Sequence, residues 1–235
     1  GSGMGAIAST VLALCSAGDH IVAAKQLYAG TLAFLRGPCA RFGIDVTLVD
    51  GTVPGAFEAA ILPSRTMMVL AETPSNPRLE LCDLDELGSI MGPFTVVDST
   101  FATPIGQQPL AHGVDLVLHS ATKGIAGHND ATIGVIAGEK ELIDAVWAYG
   151  VLHGAMASPF DALNALRGAR TLAVRTAHQS ATARRLGEWL EQHPAVGSVH
   201  YPGLASHPQH DLAQRQMRQF GTVLAFELTG GRSAV

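Results

Sequence analysis

The stretch DLVLHSATKGIAGHND, residues 115–130, joins an apolar run to a lysine that lies among small and hydroxyl-bearing residues. The run DLVLH (115–119) is typical of a strand buried on both faces, as in a parallel sheet covered by helices. Ligands of open α/β sheets bind just outside the carboxyl ends of the strands, where Lys123 is expected. A lysine there can form a Schiff base, and the hydroxyls of Ser120 and Thr122 can donate hydrogen bonds to a phosphate. On this stretch alone, a solvated loop lysine is an equally good interpretation.

Five further apolar runs of strand length alternate with helical patterns in the first part of the chain. They are HIVAA (20–24), DVTLV (45–49), TMMVLA (66–71), FTVVD (94–98) and TIGVIAG (132–138). Helices are predicted at about 4–16, 30–42, 54–62, 83–91 and 139–153, several with Gly or Pro at an end. The alternation predicts an α/β fold with a mainly parallel sheet sandwiched by helices.

After Pro159 the pattern changes to an almost uninterrupted helical stretch over residues 160–192. Such a helix predicts a bridge to a second unit, which begins with SVHY (198–201), continues through a helix at 208–219 and ends in VLAFEL (223–228).

The chain is therefore divided into a large domain over residues 1–175 and a linking helix with the start of a smaller α+β domain over residues 176–235. A phosphate loop normally follows a strand, and here no strand precedes it. A helix is also expected after the last strand. We therefore expect a fragment of a longer protein, with the N-terminal part of the large domain missing and the small domain truncated.

Composition limits the classes of partner. Lys and Arg number 15 against 20 Asp and Glu, and the formal net charge of -5 predicts no binding of nucleic acid or of an acidic membrane. No apolar run reaches the roughly 18 residues of a membrane span, and no signal peptide is visible. The three cysteines are far apart, which predicts reduced core thiols in a cytoplasmic protein.

The opening residues, GSGMGAIAST, fit the dinucleotide pattern G-x-G-x-x-G/A. That function needs a strand before the loop and an acidic residue after the second strand, but HIVAA leads into Lys25. The triplet G-K-[ST] of nucleotide-binding P-loops is absent from the sequence. The amides of Gly3 and Met4 at a helix N-terminus could still hold a phosphate, although a small-residue turn is the simpler interpretation.

Asp98 ends the apolar run FTVVD. A carboxylate at this position can pair with a pyridinium nitrogen and keep it protonated, although an Asp that caps the next turn is common. Asp98 and Lys123 at one sheet edge, with a phosphate loop at the start of the sheet, together indicate pyridoxal 5'-phosphate.

With these residues the chain resembles the Cys/Met-metabolism family of pyridoxal-phosphate enzymes. This transsulfuration group includes cystathionine γ-synthase, cystathionine γ-lyase, methionine γ-lyase and O-acylhomoserine sulfhydrylases. The matching motifs follow in order along almost the whole chain: SGM (2–4), LYAGT (27–31), ETPSNP (72–77), DSTFATP (98–104), SATKGIAGHND (120–130), SPFDALNALRGARTL (158–172), YPGLASHPQHDLAQRQM (201–217) and FGTVLAFEL (220–228). The resemblance implies fold type I, the aspartate-aminotransferase-like fold.

The resemblance also implies how the cofactor phosphate is held. The amides of Gly3 and Met4 and the hydroxyls of Ser120 and Thr122 would contact it. No metal is implied, because His207 and His210 of the His-Pro-x-His sequence are expected at the surface.

At the ring, the resemblance implies a role for four side chains. Tyr28 would stack on the pyridine and help to move protons at the substrate amine, although packing is the other interpretation. Asn76 would hydrogen-bond the phenolic oxygen, the alternative being an Asx-turn. Asp98 would pair with the ring nitrogen, and Lys123 would carry the aldimine and move the proton between carbons. Glu72 is expected only to orient the Asn76 loop.

The implied activity is γ-replacement or γ-elimination on O-acylhomoserine or cystathionine. The alternatives are a β-lyase or a methionine γ-lyase of the family, an aminotransferase on the same fold, and a non-catalytic protein. Gly30 counts against a methionine γ-lyase, which commonly has Cys there. Ser99 and Gly124 stand where the family has Asn and Tyr or Phe, and either widen the pocket floor or mark a divergent branch.

The resemblance further implies a homotetramer built of tight dimers, with apolar helices at 139–160 suited to the contact. The neighbouring subunit would complete the active site. The substrate would be a small amino acid. Arg167 and Arg175 are expected on one long helix, forming salt bridges to the core.

Overall fold

A six-stranded sheet forms the centre of the protein in the computed structural model, which describes residues 1–230. Its strands are β1 His20–Ala24, β2 Asp45–Val49, β3 Thr66–Glu72, β4 Phe94–Asp98, β5 Leu116–Ser120 and β6 Gly134–Gly138. Their order is β2-β1-β3-β4-β5-β6, and every neighbouring pair except the last is parallel. The predicted α/β fold with a mainly parallel sheet is therefore confirmed.

The antiparallel pairing of β6 with β5 follows from the connection between them. A parallel pair needs a crossover, usually a helix, whereas an antiparallel strand can return through a loop. The segment 121–133 forms no helix and carries Lys123. Because β6 runs antiparallel to β5, the connecting loop 121–133 lies at the carboxyl end of β5, next to that of β4.

Helices precede and follow the strands along the chain. They are α1 Gly3–Leu14, α2 Ala29–Phe34, α3 Ala56–Ala59, α4 Leu84–Ser89, α5 Thr103–Gly106 and α6 Lys140–Leu152. A π-helical turn, Leu35–Cys39, continues α2, and a 3-10 turn lies at Pro109–His112. Cys15, Cys39 and Cys82 are buried free thiols, as expected. Among residues 1–230, none of the helices has both the length and the apolar character to cross a membrane.

The prediction of one helix over 160–192 was wrong, because the chain forms α7 Pro159–Ala169 and α8 Leu172–Glu191. The Gly168 carbonyl lies at the break. It accepts hydrogen bonds from Thr171 N at 3.1 Å, Thr171 Oγ1 at 3.2 Å and Arg175 Nη2 at 2.8 Å. These donors replace the regular i+4 amide and end α7 there.

A second, two-stranded sheet lies after α8. β7 Val196–His200 pairs antiparallel with β8 Ala225–Leu228, and the short helix α9 His210–Gln216 lies between them in sequence. The hydroxyl of the buried Tyr201, the residue after β7, lies 3.1 Å from the Ser180 carbonyl of α8 and 3.0 Å from the Gly221 carbonyl, and it can donate its single proton to either, which links this sheet to α8. The domain boundary at residue 175 falls inside α8 and stays a prediction.

Candidate active site

A cavity of about 310 Å³ opens at the carboxyl ends of the central parallel strands. All eight residues expected at the cofactor line it: Gly3, Met4, Tyr28, Asn76, Asp98, Ser120, Thr122 and Lys123. They come from segments far apart in sequence, and the parallel topology brings them to one sheet edge. Their individual roles stay predictions. Thr100 and Phe101 also line the cavity, although the sequence analysis assigned them no role.

The first turn of α1 forms one wall of the cavity. Ser2 caps the helix by accepting a hydrogen bond from Gly5 N at 2.9 Å. The amides of Gly3 and Met4 lie in the first turn, where N–H groups have no acceptor inside the helix and the dipole favours an anion. A Cβ atom on Gly3 would lie only 2.7 Å from Ser120 Cβ, so the helix approaches β5 this closely only with glycine here. This wall fits a phosphate group.

Thr122 is one of the two hydroxyl residues expected at the phosphate. Thr122 Oγ1 donates to the Ile133 carbonyl at 3.2 Å and accepts from Ile133 N at 2.9 Å. Thr122 therefore pins the lysine loop to the segment that leads into β6. Its hydroxyl proton is already used in this conformation, so a phosphate contact requires the proton to turn away from Ile133.

Asp98 ends β4 between Glu72 of β3 and Leu118 of β5 in the sheet register. Its Oδ1 accepts hydrogen bonds from Thr100 N at 3.0 Å and Thr100 Oγ1 at 2.5 Å. Burial raises the pKa of Asp98, and the two bonds from Thr100 lower it. No ion pair within residues 1–230 includes Asp98. A carboxylate buried without a cation favours a positively charged N–H partner in the cavity.

Thr100 links this carboxylate to the hydroxyl-bearing end of β5. Its Oγ1 accepts from Ser120 N at 2.8 Å while it donates to Asp98. No motif in the sequence singled out Thr100. The local signal was available, since an Asp side chain often accepts bonds from the residue two positions later.

Tyr28 and Asn76 lie on loops after β1 and β3. The Tyr28 side chain is 48% exposed, and a Cβ atom on Gly30 would lie 2.5 Å from Tyr28 Cε1. Gly30 therefore makes room for the Tyr28 ring. Arg78, two residues after Asn76, forms an ion pair with Glu227 of β8 at 2.7 Å.

The buried Glu72 carboxylate contacts both of these loops. It accepts from Tyr28 N at 2.6 Å and from Asn76 N at 2.9 Å. Burial and the neighbouring charge of Asp98 raise the pKa of Glu72 to about 8, against the two backbone bonds, which lower it. Glu72 does orient the Asn76 loop, as expected, but it also holds the Tyr28 loop.

The loop after Lys123 is fastened by Arg175 of α8. The guanidinium donates to the carbonyls of Gly124 at 2.9 Å and Ile125 at 3.1 Å, in addition to that of Gly168. The expected salt bridge was wrong for Arg175, because backbone carbonyls occupy its donors. Gly127 has φ +71°, and any Cβ there would overlap this guanidinium.

Two further predictions, a wider pocket floor at Ser99 and Gly124 and a surface position for His207, concern residues outside the cavity. Neither Ser99 nor Gly124 lines it within the described residues, and a Cβ on Gly124 would lie 2.6 Å from Thr103 Cγ2. A wider pocket floor is therefore not supported. The expected surface position of His207 was wrong: the residue is buried, and its Nδ1 accepts a hydrogen bond from Gln209 N at 3.2 Å in the turn before α9. Across residues 1–230, no group of three or more potential metal ligands is found.

A family model described as Cys/Met metabolism PLP-dependent enzyme matches residues 1–235. The chain belongs to this family. It is 44% identical over 240 residues to L-methionine gamma-lyase of Treponema denticola, covering 99% of the chain and 60% of that enzyme. It is 42% identical over 236 residues to O-succinylhomoserine sulfhydrylase of Pseudomonas aeruginosa, covering 99% and 58%. The chain thus spans about three fifths of the length of the curated relatives that it matches.

A solved structure of the family has the same fold. The crystal structure of cystathionine gamma synthase from Xanthomonas oryzae pv. oryzae in complex with aminoacrylate and cysteine gives a TM-score of 0.94 at 40% identity. The match covers 99% of the chain and 61% of that structure. Fold type I is therefore confirmed for this member of the Cys/Met family.

The cofactor of the Cys/Met family is pyridoxal 5'-phosphate, and the cavity residues fit it. The start of α1, with the close approach that Gly3 permits, suits the phosphate. The Asp98 carboxyl is buried and has no cationic partner among residues 1–230, which suits a protonated ring nitrogen. Lys123 supplies an amine in the same cavity.

Proposed function

We propose that the eight cavity residues hold pyridoxal 5'-phosphate and that the whole enzyme catalyses γ-replacement or γ-elimination on O-acylhomoserine or cystathionine. The observation that carries the proposal is the meeting of Lys123, Asp98 and the first turn of α1 in one cavity. The names of the relatives support γ-chemistry, since they include gamma-lyases, a sulfhydrylase and a gamma-synthase.

The proposed division of labour follows the cavity walls. The amides of Gly3 and Met4 and the hydroxyl of Ser120 bind the phosphate; Thr122 joins them when its proton turns from Ile133. Asp98 accepts a hydrogen bond from the ring nitrogen and keeps it protonated. These contacts would hold the cofactor at the carboxyl ends of β4 and β5.

The remaining residues handle protons and the ring face. When bound, the cofactor supplies an electron-withdrawing ring that acidifies the hydrogen on the substrate Cα. Lys123 Nζ takes that proton and then moves protons at Cβ, so that a leaving group can depart from Cγ. Asn76 would donate a hydrogen bond to the phenolic oxygen, and the Tyr28 ring would stack on the pyridine and assist proton transfer at the substrate amine.

A second candidate is γ-elimination on methionine. Several relatives are named L-methionine gamma-lyase, at 41% to 45% identity. Against it stands Gly30, where that group commonly has Cys. Within the proposal the two differ only in the leaving group at Cγ.

The test offers the whole enzyme O-succinylhomoserine, O-acetylhomoserine, cystathionine and methionine separately, with and without cysteine. We expect 2-oxobutanoate in the absence of thiol, and cystathionine when cysteine accompanies a homoserine ester. Mass spectrometry identifies the oxo-acid. Pyruvate from cystathionine, with no 2-oxobutanoate from any substrate, would indicate a β-lyase, and amino transfer to an added oxo-acid would indicate an aminotransferase. Either result contradicts the proposal.

We also propose that the protein is a homo-oligomer, a dimer of dimers whose neighbouring subunits complete each active site. Six large apolar side chains on α6, α7 and the start of α8 are 59% to 84% exposed: Trp147, Leu152, Phe160, Leu163, Leu166 and Val174. Single subunits rarely leave so much apolar surface in water. The three buried free thiols favour a reducing compartment, for which we propose the cytoplasm.

Replacing Leu163 by Asp is expected to lower the molecular mass measured by light scattering from that of a tetramer to that of a smaller species. A charge on this face opposes its desolvation in the contact. Met91→Lys is the matched control. Met91 is 86% exposed, but it follows α4 and lies outside α6, α7 and α8. An unchanged mass for both variants would place the contact elsewhere.

A further inference from the structure

Glu72 is the last residue of β3 and is only 6% exposed. No ion pair within residues 1–230 includes it. Its two carboxylate oxygens have separate partners: Oε2 accepts from Tyr28 N and Oε1 from Asn76 N. Burying an acid destabilises the folded state unless hydrogen bonds offset its desolvation. These two hydrogen bonds therefore explain how Glu72 can be buried here.

The two amides belong to segments that are otherwise independent in sequence. Tyr28 follows β1 and caps α2, whereas Asn76 lies four residues beyond Glu72 on the loop after β3. Both side chains line the cavity, and Glu72 lines it beside them. One carboxylate thus sets the distance between two loops that each present a side chain to the same cavity.

We propose that Glu72 is a positioning residue that holds the Tyr28 and Asn76 loops at a fixed separation for the pyridoxal ring. The proposal rests on the proposed function of the cavity. A carboxyl group is suited to this task because each of its two oxygens can accept a hydrogen bond, and the bonds are strongest when the group is ionised. A carboxamide offers one oxygen only, and its NH₂ group would face the second amide.

The matched variants are Glu72→Gln and Glu80→Gln. Glu80 lies on the same loop, and its carboxylate forms no hydrogen bond to either amide in the described residues. Without cofactor, amide hydrogen exchange is measured by mass spectrometry in peptides that cover residues 27–31 and 75–79. We expect Glu72→Gln to accelerate exchange in at least one of the two segments and Glu80→Gln in neither.

The second readout is the dissociation constant of pyridoxal 5'-phosphate from the whole protein. We expect Glu72→Gln to raise it by roughly two- to tenfold, the loss typical of one hydrogen bond between neutral groups, because a pKa of about 8 leaves Glu72 largely protonated at neutral pH. Exchange in peptides from β4 should stay as in wild type, which separates positioning from general destabilisation. If Glu72→Gln fails to fold, Glu72→Asp replaces it, because its shorter side chain cannot reach both amides.

Unchanged exchange in both loops of a folded Glu72 variant would overturn the proposal. So would faster exchange with unchanged cofactor affinity, because the loops would then not position the ring. If wild-type protein itself failed to bind the cofactor, the proposed function would fail. The exchange measurement uses no cofactor and would still decide whether Glu72 holds the two loops.

Discussion

Replacing Lys123 by alanine is expected to abolish covalent retention of pyridoxal 5'-phosphate and to lower turnover at least about a thousandfold. A general base contributes roughly 10²–10⁴ in rate by itself, and the nucleophilic amine is lost as well. Phosphate contacts and Asp98 remain, so the cofactor should still bind reversibly. Visible absorption, borohydride reduction and peptide mapping measure the covalent attachment.

The chain provides a matched control for this change, because it contains only two other lysines, Lys25 and Lys140. Lys25 pairs with Asp50 at 2.6 Å and does not line the cavity, so Lys25→Ala should keep the absorption and the activity. A borohydride-reducible lysine adduct that persisted in Lys123→Ala would show that another amine carries the cofactor.

Replacing Asp98 by asparagine is expected to lower kcat by roughly ten- to a thousandfold with little change in the fold. A nearby carboxylate raises the pKa of a cationic partner by about 1–3 units, and the neutral amide loses this effect. The ring nitrogen would then lose its proton at neutral pH, and acidification of the substrate Cα would weaken. Kinetics and absorption spectra across pH measure the change.

The apoprotein supplies an independent check on Asp98. Burial raises the pKa of its carboxyl above the ordinary value, so the folded state holds this proton more tightly than the unfolded state. The stability contributed by Asp98 is therefore present at low pH and is lost as pH rises through the raised pKa. Asp98→Asn should remove this part of the pH dependence of unfolding.

Asp115→Asn is the control for the Asp98 variant. Asp115 lies outside the cavity and accepts hydrogen bonds from Thr95 N at 2.7 Å and Thr95 Oγ1 at 2.9 Å. We expect a loss of stability there, with the spectrum of the bound cofactor unchanged. Equal kcat in wild type and Asp98→Asn would mean that another group protonates the ring.

The sequence by itself determined the architecture and predicted residues that line the cavity. Apolar runs predicted the strands, and the central strands β4 and β5 are largely buried and end at Asp98 and at Ser120, three residues before Lys123. Strand length and periodicity depend on residues close together in the sequence, so they can be predicted from the sequence alone. The parallel order of the strands then requires both residues to lie at one edge.

Only the tertiary structure decided how the site is supported. The break between α7 and α8 depends on the Gly168 carbonyl, and the lysine loop depends on Arg175, which lies 52 residues after Lys123. Glu72 joins an amide 44 residues earlier in the chain to one on its own loop. No local sequence pattern predicts such contacts. A buried donor or acceptor must form a hydrogen bond, and the tertiary packing decides which partner is close enough.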